Sequence, residues 1–160
     1  MPVKIDSPLG RAVVKMSGSK TFRAVAPKVI PHIDRTLHRI TGGRVIMSGG
    51  MLPSLVLTTT GAKTGQKRTT PLATRQMDGS WFIVGSNFGR ERHPAWTANL
   101  IAHPDVEISF GARDIPVHAH QLTTEEKADI WPQLVAFWPN YDVYTERSGR
   151  DLRVFRLDPR

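Results

Sequence analysis

The segment from Thr58 to Leu72 concentrates groups that bind anions. It contains three cations, two glycines, six threonine hydroxyls and no acidic residue. Glycine lets backbone N–H groups approach an anion closely, threonine donates further hydrogen bonds, and Lys63 and Arg68 add charge-assisted ones. Gly61 and Gly65 do not form a P-loop, because no Gly-Lys-Ser or Gly-Lys-Thr follows them. The composition predicts either an oxyanion receptor or a solvated hairpin loop, and the residue types leave both open.

A second candidate site runs from Gly85 to Leu100. A predicted strand ends at Gly85, a glycine-containing loop follows, and a helix begins near Pro94 with free backbone N–H groups suited to an anion or a carbonyl oxygen. Ser86 does not lie in the Gly-x-Ser-x-Gly pattern of a hydrolase, and no acid partner accompanies it. We therefore predict that Ser86 donates a hydrogen bond or is a plain loop residue, and that it is not a nucleophile.

Two other groups of side chains favour structural interpretations. His118 and His120 are two residues apart on a predicted strand and share one face, but two imidazoles do not complete a metal site, so we predict surface histidines and no metal. Trp138, Tyr141 and Tyr144 recur at spacings of three, a pattern more typical of core packing than of a ligand pocket. The tyrosine hydroxyls would nonetheless suit a half-wet pocket wall.

The elements that must position these residues are short strands separated by turns. Asp78-Gly79 is typical of a hairpin turn, and such a series of strands favours a small antiparallel barrel over a βαβ sheet. The fold class is therefore α+β, with about six strands and short flanking helices. The predicted strands are Leu55 to Thr60, Thr69 to Gln76, Trp81 to Gly85, Val106 to Phe110, Ile115 to Gln121 and Leu152 to Leu157.

Helix signals flank these strands. A short helix is predicted from Pro94 to Ala102. Thr123 and Glu126 form a capping box that opens another helix, in which Pro132 indicates a kink or a late start. The apolar positions expected to face inward in that helix are Ile130, Leu134 and Phe137.

The N-terminal region predicts an amphipathic basic helix. Its apolar stripe is Ile30, Ile33, Leu37 and Ile40, with cations between these positions. The stripe either packs on the domain or contacts an anionic membrane surface, and the pattern leaves both open. We place this basic segment at residues 1–48 and the barrel at residues 49–160.

Composition and charge bound the function. The 160 residues fit one domain, and the absence of cysteine excludes disulfides and thiolate metal sites. Residues 1–50 hold nine Lys or Arg against two acidic residues, residues 51–100 hold six against two, and residues 101–160 hold seven against ten. A polyanionic ligand, an anionic membrane or nucleic acid would be attracted to the first 100 residues. Residues 1–20 contain no apolar run of signal-peptide length, which predicts a cytoplasmic protein.

Three ordered blocks resemble the deazaflavin-dependent nitroreductase family of actinobacteria, which includes F420-dependent quinone and nitro reductases. The resemblance covers about residues 50–157. The blocks are LVLTTTGAKTGQKRTTPL at residues 55–72, GSNFGRERHPAWTANLIAHP at residues 85–104 and WPQLVAFWPNYDVY at residues 131–144.

The resemblance implies a split β-barrel that binds coenzyme F420, a deazaflavin with a phosphate and an oligoglutamate tail, and transfers a hydride to a quinone, a nitro compound or an activated enone. It implies that the loop around Lys63, Thr64 and Arg68 holds the anionic groups. It also implies catalytic roles for Ser86, which polarises a carbonyl, and for Tyr141 and Tyr144, which orient the acceptor. The remaining residues that it implies for the deazaflavin are Thr70, Pro71, Asn87, Trp96 and Asn99.

Two departures from the family pattern concern the tail. Ala62 and Asn87 stand where the family often has arginine and lysine, so Lys67, Arg90 and Arg92 are the cations available to compensate. The alternatives are the same barrel with FMN, haem or a lipid, and a basic module that binds a membrane or nucleic acid without catalysis. We expect a small-molecule acceptor, no nucleic acid, and peripheral contact of the N-terminal helix with the inner face of the cell membrane.

Overall fold

A computed structural model describes residues 7–17, 19–22, 24–26, 28–29, 32 and 52–160. Seven strands form one sheet in which every neighbouring pair is antiparallel, in the order β2-β1-β5-β6-β7-β4-β3. The strands are β1 (Ser54–Thr60), β2 (Lys67–Ala73), β3 (Arg75–Met77), β4 (Ser80–Val84), β5 (Asp105–Phe110), β6 (Arg113–Gln121) and β7 (Val154–Pro159).

The sheet curls because its two edges are joined by a single residue. β2 and β3 lie at opposite edges, yet only Thr74 separates them in the chain. The Thr74 N–H donates to the Pro53 carbonyl (2.9 Å), and its hydroxyl donates to the Phe82 carbonyl (3.1 Å). A curled antiparallel sheet with short helices confirms the predicted small barrel. The single predicted strand Thr69 to Gln76 is wrong, because the chain leaves one edge at Thr74 and enters the other, which makes seven strands.

The other predicted strands are present and differ from the observed ones only in where they begin or end. The last strand begins at Val154 and not at Leu152, because Leu152 is packed in a core before the pairing starts. The predicted hairpin turn is confirmed: Asp78 and Gly79 both have positive φ, at 51° and 81°, between β3 and β4. Positive φ at both central positions is the requirement of a type I′ turn, which Asp-Gly meets readily.

Side chains of the curled sheet supply two cores, one on each face. In β4, Trp81 and Ile83 face the barrel interior, whereas Phe82 and Val84 face outward. This alternation follows from the two-residue period of a strand. The interior core also contains Trp96, and the outer core lies against two helices in the last third of the chain.

Three α-helices lie between strands of the sheet: α2 (Ala95–Ala102) between β4 and β5, and α3 (Thr124–Phe137) and α4 (Asn140–Ser148) between β6 and β7. The capping box is confirmed: the Glu126 N–H donates to the Thr123 hydroxyl (3.2 Å), and the Thr123 N–H donates to the Glu126 carboxylate (2.8 Å). A late start at Pro132 is wrong, since α3 begins at the cap and continues through the proline. Leu134 and Phe137 are buried as expected.

Part of the described N-terminal region contacts the rest of the chain. Helix α1 (Pro8–Ser17) was not predicted, and the Asn140 side-chain amide donates to the carbonyl of Val14 in this helix (2.8 Å). Val14 also packs against the outer core. The predicted stripe from Ile30 to Ile40 lies outside the described residues. Within the described ranges, no helix combines the length and the apolarity needed to cross a bilayer.

Candidate functional site

The β1–β2 hairpin carries, in its loop and at the start of β2, cations that no carboxylate of the described residues neutralises. The Gly61 N–H donates to the Gln66 carbonyl (2.8 Å), and the Gly65 N–H donates to the Gly61 carbonyl (2.8 Å), which closes the loop on itself. Lys63, Lys67 and Arg68 are exposed, and none of them is paired with a carboxylate among the described residues. The loop is therefore an exposed, positively charged surface.

Asn99 in helix α2 fixes this loop to the barrel. Its Oδ1 accepts a hydrogen bond from the Ala62 N–H (2.9 Å), and its Nδ2 donates to the Thr59 hydroxyl (3.0 Å). Asn99 is only 9% exposed, so these bonds form away from bulk water. Since both ends of the amide are engaged, the side chain connects α2, β1 and the cationic loop.

The register of β1 and β2 divides the predicted cofactor residues between two faces. Arg68 lies opposite Thr59 and Thr70 lies opposite Leu57, and directly opposed residues share a face. Arg68 and Thr70 are therefore on the face of Asn99 and the barrel interior. Pro71, opposite Val56, is on the other face. Thr64 lies in the exposed loop itself, where its hydroxyl accepts a hydrogen bond from the Gln66 N–H (3.3 Å).

A second loop, residues 85–93, follows β4 and leads into α2. Asn87 and Phe88 have left-handed backbone conformations, with φ of 46° and 54°, and the Asn87 side-chain amide donates to the Arg92 carbonyl (2.8 Å). The Ser86 hydroxyl is half-buried and has no hydrogen-bond partner within the described residues. The Ser86 hydroxyl is therefore available to donate a hydrogen bond to a ligand.

Helix α2 contacts both loops. Asn99 holds the first loop, and a Cβ added at Gly85 would lie 2.9 Å from the Thr97 methyl group, so the second loop runs directly against the helix. Trp96 faces the interior core, is 6% exposed, and packs on Phe155 with ring centroids 5.8 Å apart. The structure thus brings the two loops to one helix, with Trp96 on the core side of it.

The aromatic residues at spacings of three are buried in the outer core. Trp138, Tyr141 and Tyr144 are all less than one-tenth exposed. Burial, with a smaller contribution from Tyr144, raises the pKa of Tyr141 above its ordinary value. The burial agrees with the packing interpretation of the spacing, and the catalytic roles of the two tyrosines stay predictions.

The second loop reaches this aromatic group. The Phe88 ring packs edge-on against Tyr144, with centroids 6.4 Å apart, and against Phe22 of the N-terminal region, with centroids 6.0 Å apart. Gly89 has φ of 74°, and a Cβ there would lie 3.2 Å from the Tyr144 backbone. Loop 85–93 therefore touches α2 on one side and α4 on the other.

Sequence reasoning missed one residue that organises the second loop. The guanidinium of Arg150 donates to the backbone carbonyls of Gly85 (3.0 Å), Ser86 (2.7 Å) and Arg90 (2.9 Å). These partners are 60 to 65 residues away along the chain. No local pattern around Arg150 could have signalled a contact at that separation.

The two histidines on β6 are paired with carboxylates. His118 Nδ1 lies 2.7 Å from Asp105, and His120 Nε2 lies 2.9 Å from Glu126. His118 is exposed and His120 is half-buried, which agrees with the predicted surface positions. These residues lie on the sheet and not in either loop.

Comparisons with known proteins converge on one family. The family model for F420H2-dependent quinone reductases matches residues 32–159. An F420H2-dependent quinone reductase of Mycobacterium tuberculosis is 38% identical over 128 residues, which cover 78% of this chain and 86% of that relative. A second relative from M. tuberculosis in the same class is 29% identical over 109 residues, covering 68% of this chain and 92% of that protein.

Solved structures agree with these matches. An F420H2-dependent reductase, FDR-A, is 34% identical with a TM-score of 0.61, and the likeness covers 66% of this chain and 94% of that structure. Another structure, described as a domain-swapped dimer, is 31% identical with a TM-score of 0.63, covering 78% of this chain and 95% of that one.

Proposed function

Because the chain belongs to the F420H2-dependent quinone reductase family, we propose that its two loops hold reduced F420 beside an electron-poor acceptor of the quinone type. The protein is an F420H2-dependent reductase on a split β-barrel, and its cofactor is coenzyme F420. The same barrel with FMN, haem or a lipid, and a basic binding module without catalysis, are not favoured by these relatives.

The observation that carries the proposal is the uncompensated charge on the first loop. A phosphate and carboxylate tail needs cations whose charge is not already neutralised, and Lys63, Lys67 and Arg68 meet that requirement. Ala62, at the position where relatives often carry arginine, contributes its backbone N–H to Asn99 and no charge. The donor set therefore fits a polyanionic group, with Lys67 replacing the missing cation.

The second loop is the place where this chain acts on the reacting groups. Bound reduced F420 supplies a hydride to the acceptor. In our proposal, the free Ser86 hydroxyl donates to a carbonyl oxygen and so stabilises negative charge that develops there. Asn87 keeps the loop in shape by its bond to Arg92. Thr64 and Thr70 serve as further contacts to the cofactor, and the contacts that the family resemblance implies for Pro71, on the opposite face of β2, and for the buried Trp96 stay predictions.

The tyrosines are assigned to the acceptor side. Tyr144 packs against Phe88 and lies close to Gly89, and these contacts help to set the position of the loop that carries Ser86. In our proposal the Tyr141 hydroxyl, protonated at physiological pH as in any tyrosine, is the hydrogen-bond donor that orients the acceptor. No side-chain nucleophile takes part in this scheme.

To test the cofactor site, the double variant Lys63→Gln/Arg68→Gln is titrated with F420, and binding is measured by the quenching of tryptophan fluorescence. We expect binding to weaken at least about 100-fold, since each charge-assisted hydrogen bond contributes about 1.5–3 kcal/mol and two are lost. Arg113→Gln is the matched control, because Arg113 is an exposed cation on a different hairpin. Unchanged F420 affinity in the double variant, or tighter binding of FMN than of F420 by the parent protein, would overturn the proposal.

A finer proposal concerns location, at the inner face of the cell membrane. Met16, Val25 and Val29 in the N-terminal region are 55%, 50% and 42% exposed. The exposed cations Lys15 and Lys28 lie beside them, as in segments that bind anionic lipid surfaces. Cosedimentation with phosphatidylglycerol vesicles should decrease as salt is raised. Equal cosedimentation with neutral phosphatidylcholine vesicles would contradict this location.

A further inference from the structure

Arg150 is a half-buried arginine whose guanidinium makes four hydrogen bonds, all of them to neutral groups. Besides the three carbonyls of loop 85–90, it meets His93, whose Nδ1 lies 3.1 Å from Nη1 of the arginine. Within the described residues no carboxylate pairs with it. The adjacent Asp151 is paired with Lys127 instead. A cation withdrawn from water without a counter-ion is costly, so its retention needs a reason other than stability alone.

The loop that Arg150 binds has a strained backbone. Left-handed conformations are unfavourable for residues other than glycine, less so for asparagine than for phenylalanine, and both Asn87 and Phe88 adopt them. Such conformations persist only where the surroundings enforce them. Arg150 binds carbonyl groups on both sides of this pair, at Gly85 and Ser86 before it and at Arg90 after it. Arg150 therefore holds the loop, and with it the position of the Ser86 hydroxyl, together with the Asn87–Arg92 hydrogen bond and the packing of Phe88 and Gly89 on Tyr144.

The same guanidinium decides which nitrogen of His93 carries the proton. Arginine has only donors, so Nδ1 of His93 must accept, and a neutral ring then carries its proton on Nε2. Burial first, then Arg153 and Arg150, lower the pKa of His93, whereas Asp151 raises it. The net effect keeps the ring neutral. Its Nε2–H makes no hydrogen bond to the described residues, so this donor is available at the second loop.

We propose that Arg150 is a positioning residue of the reductase reaction, which holds loop 85–90 in its productive shape and fixes His93 as the tautomer with a free Nε2–H donor. The inference rests on the proposed function, since that function assigns loop 85–90 to the reacting groups. Arg150 acts through Ser86 and His93. F420 affinity depends mainly on the cations of the other hairpin.

The experiment compares Arg150→Met with Arg150→Lys and with Arg147→Gln, an exposed arginine on α4 that serves as control. Arg150→Met should lower kcat at least about ten-fold, because small misplacements of reacting groups carry penalties of that size or more. F420 affinity should change less than about three-fold, since Lys63 and Arg68 are intact. Arg150→Lys should recover part of kcat, because it keeps the charge but cannot span three carbonyls. Added guanidinium ion should likewise restore part of kcat to Arg150→Ala.

A second measurement reads His93 directly and needs no cofactor. Nitrogen NMR of the imidazole should show Nε2–H in the parent protein, a mixture of tautomers in Arg150→Met, and a higher titration midpoint in that variant, because a positive neighbour has been removed. An unchanged tautomer and midpoint together with an unchanged kcat would overturn the proposal. Equal losses of kcat and F420 affinity would overturn it too, since they indicate a general structural role. If the parent protein itself fails to bind F420, the proposed function fails, and the NMR result still decides the role of Arg150 toward His93.

Discussion

Asn99 and Ser86 have different relations to their surroundings, although the family resemblance implies cofactor contact for both. Both ends of the Asn99 amide are occupied, by the Ala62 N–H and the Thr59 hydroxyl. The Ser86 hydroxyl is free within the described residues. We therefore expect Asn99 to act through the loop that it holds, and Ser86 to act on the ligand itself.

Substitution of Asn99 by leucine tests the first expectation. The change removes two hydrogen bonds and strands a backbone donor, at a cost of about 1–3 kcal/mol. Hydrogen exchange at the Ala62 amide should accelerate, and F420 affinity should fall about ten-fold as the loop loses its anchor. Thr69→Val is the control, because Thr69 is exposed on the opposite face of the hairpin. If the Ala62 amide exchanges at the parental rate, Asn99 does not hold the loop.

Substitution of Tyr141 by phenylalanine tests the donor assigned to the acceptor side. Loss of one hydrogen bond of about 1.4 kcal/mol should lower kcat/KM for a quinone about ten-fold and leave F420 affinity unchanged. Trp138→Phe, in the same core, controls for a loss of packing alone. Acceptor kinetics that do not change in Tyr141→Phe would leave this residue with a packing role only.

Among the elements, the β5–β6 hairpin achieves its turn with a less suitable residue than the β3–β4 hairpin does. Gly111 and Ala112 both have positive φ, at 58° and 62°, as Asp78 and Gly79 do in the other turn. In the left-handed region the Cβ of alanine lies too close to the following carbonyl oxygen, whereas glycine has no Cβ. The β5–β6 turn is thus a local weakness in a sheet that otherwise follows the expected turn chemistry.

The same substitution should therefore have opposite effects in two elements. Ala112→Gly should raise the free energy of unfolding by about 0.5–1 kcal/mol, because it relieves the positive φ at Ala112. Ala128→Gly, at an exposed position inside α3, should lower it by about 1 kcal/mol through lost helix propensity. Urea denaturation of both variants measures the two shifts. A destabilised Ala112→Gly protein would show that the turn is not strained.

The whole molecule carries carboxylates whose charged forms the fold stabilises. Hydrogen bonds from His118 and Arg160 lower the pKa of Asp105. The Thr123 N–H and His120 do the same for Glu126. These groups connect neighbouring strands, α3 and the C-terminus, so their ionisation is coupled to the integrity of the barrel.

Asp158 is the least exposed of these carboxylates. Burial alone would raise its pKa, but hydrogen bonds from Arg156 (2.9 Å) and Ser80 (2.7 Å) lower it below its ordinary value. A depressed folded-state pKa contributes stability that is fully present above the unfolded pKa of about 4 and is lost as the pH falls through the folded-state value.

The free energy of unfolding should therefore decrease as the pH falls from about 5 toward 2.5, a window that lies around and below the unfolded carboxylate pKa values. Asp158→Asn should be less stable than the parent at pH 7 and should show a shallower decrease. Glu107→Gln, at an exposed carboxylate on β5, should keep the parental slope. Urea titrations at several pH values measure these slopes, and identical slopes in the parent and Asp158→Asn would contradict the assignment.

Sequence alone determined the features that depend on near neighbours or on bulk charge. The Asp78-Gly79 turn, the Thr123 capping box and the apolar strand β4 each need only a few adjacent residues. The positive charge of the first loop could also be predicted from the sequence. A run of cations without acidic residues keeps its charge unless a carboxylate from a distant segment pairs with it, and no carboxylate of the described residues does so. The ordered blocks then pointed to the family that the comparisons confirm.

Only the tertiary structure decided the features that depend on contacts between remote segments. The predicted strand Thr69 to Gln76 is divided at Thr74 into β2 and β3, which lie at opposite edges of the sheet. The hydrophobic pattern could not show this, because it does not indicate which strand a residue pairs with. In the sequence, Arg150 is indistinguishable from a surface cation, and only the folded structure shows its hydrogen bonds to carbonyls 60 to 65 residues away. Local propensity governs turns and caps, whereas pairing across long loops depends on the geometry of the assembled barrel.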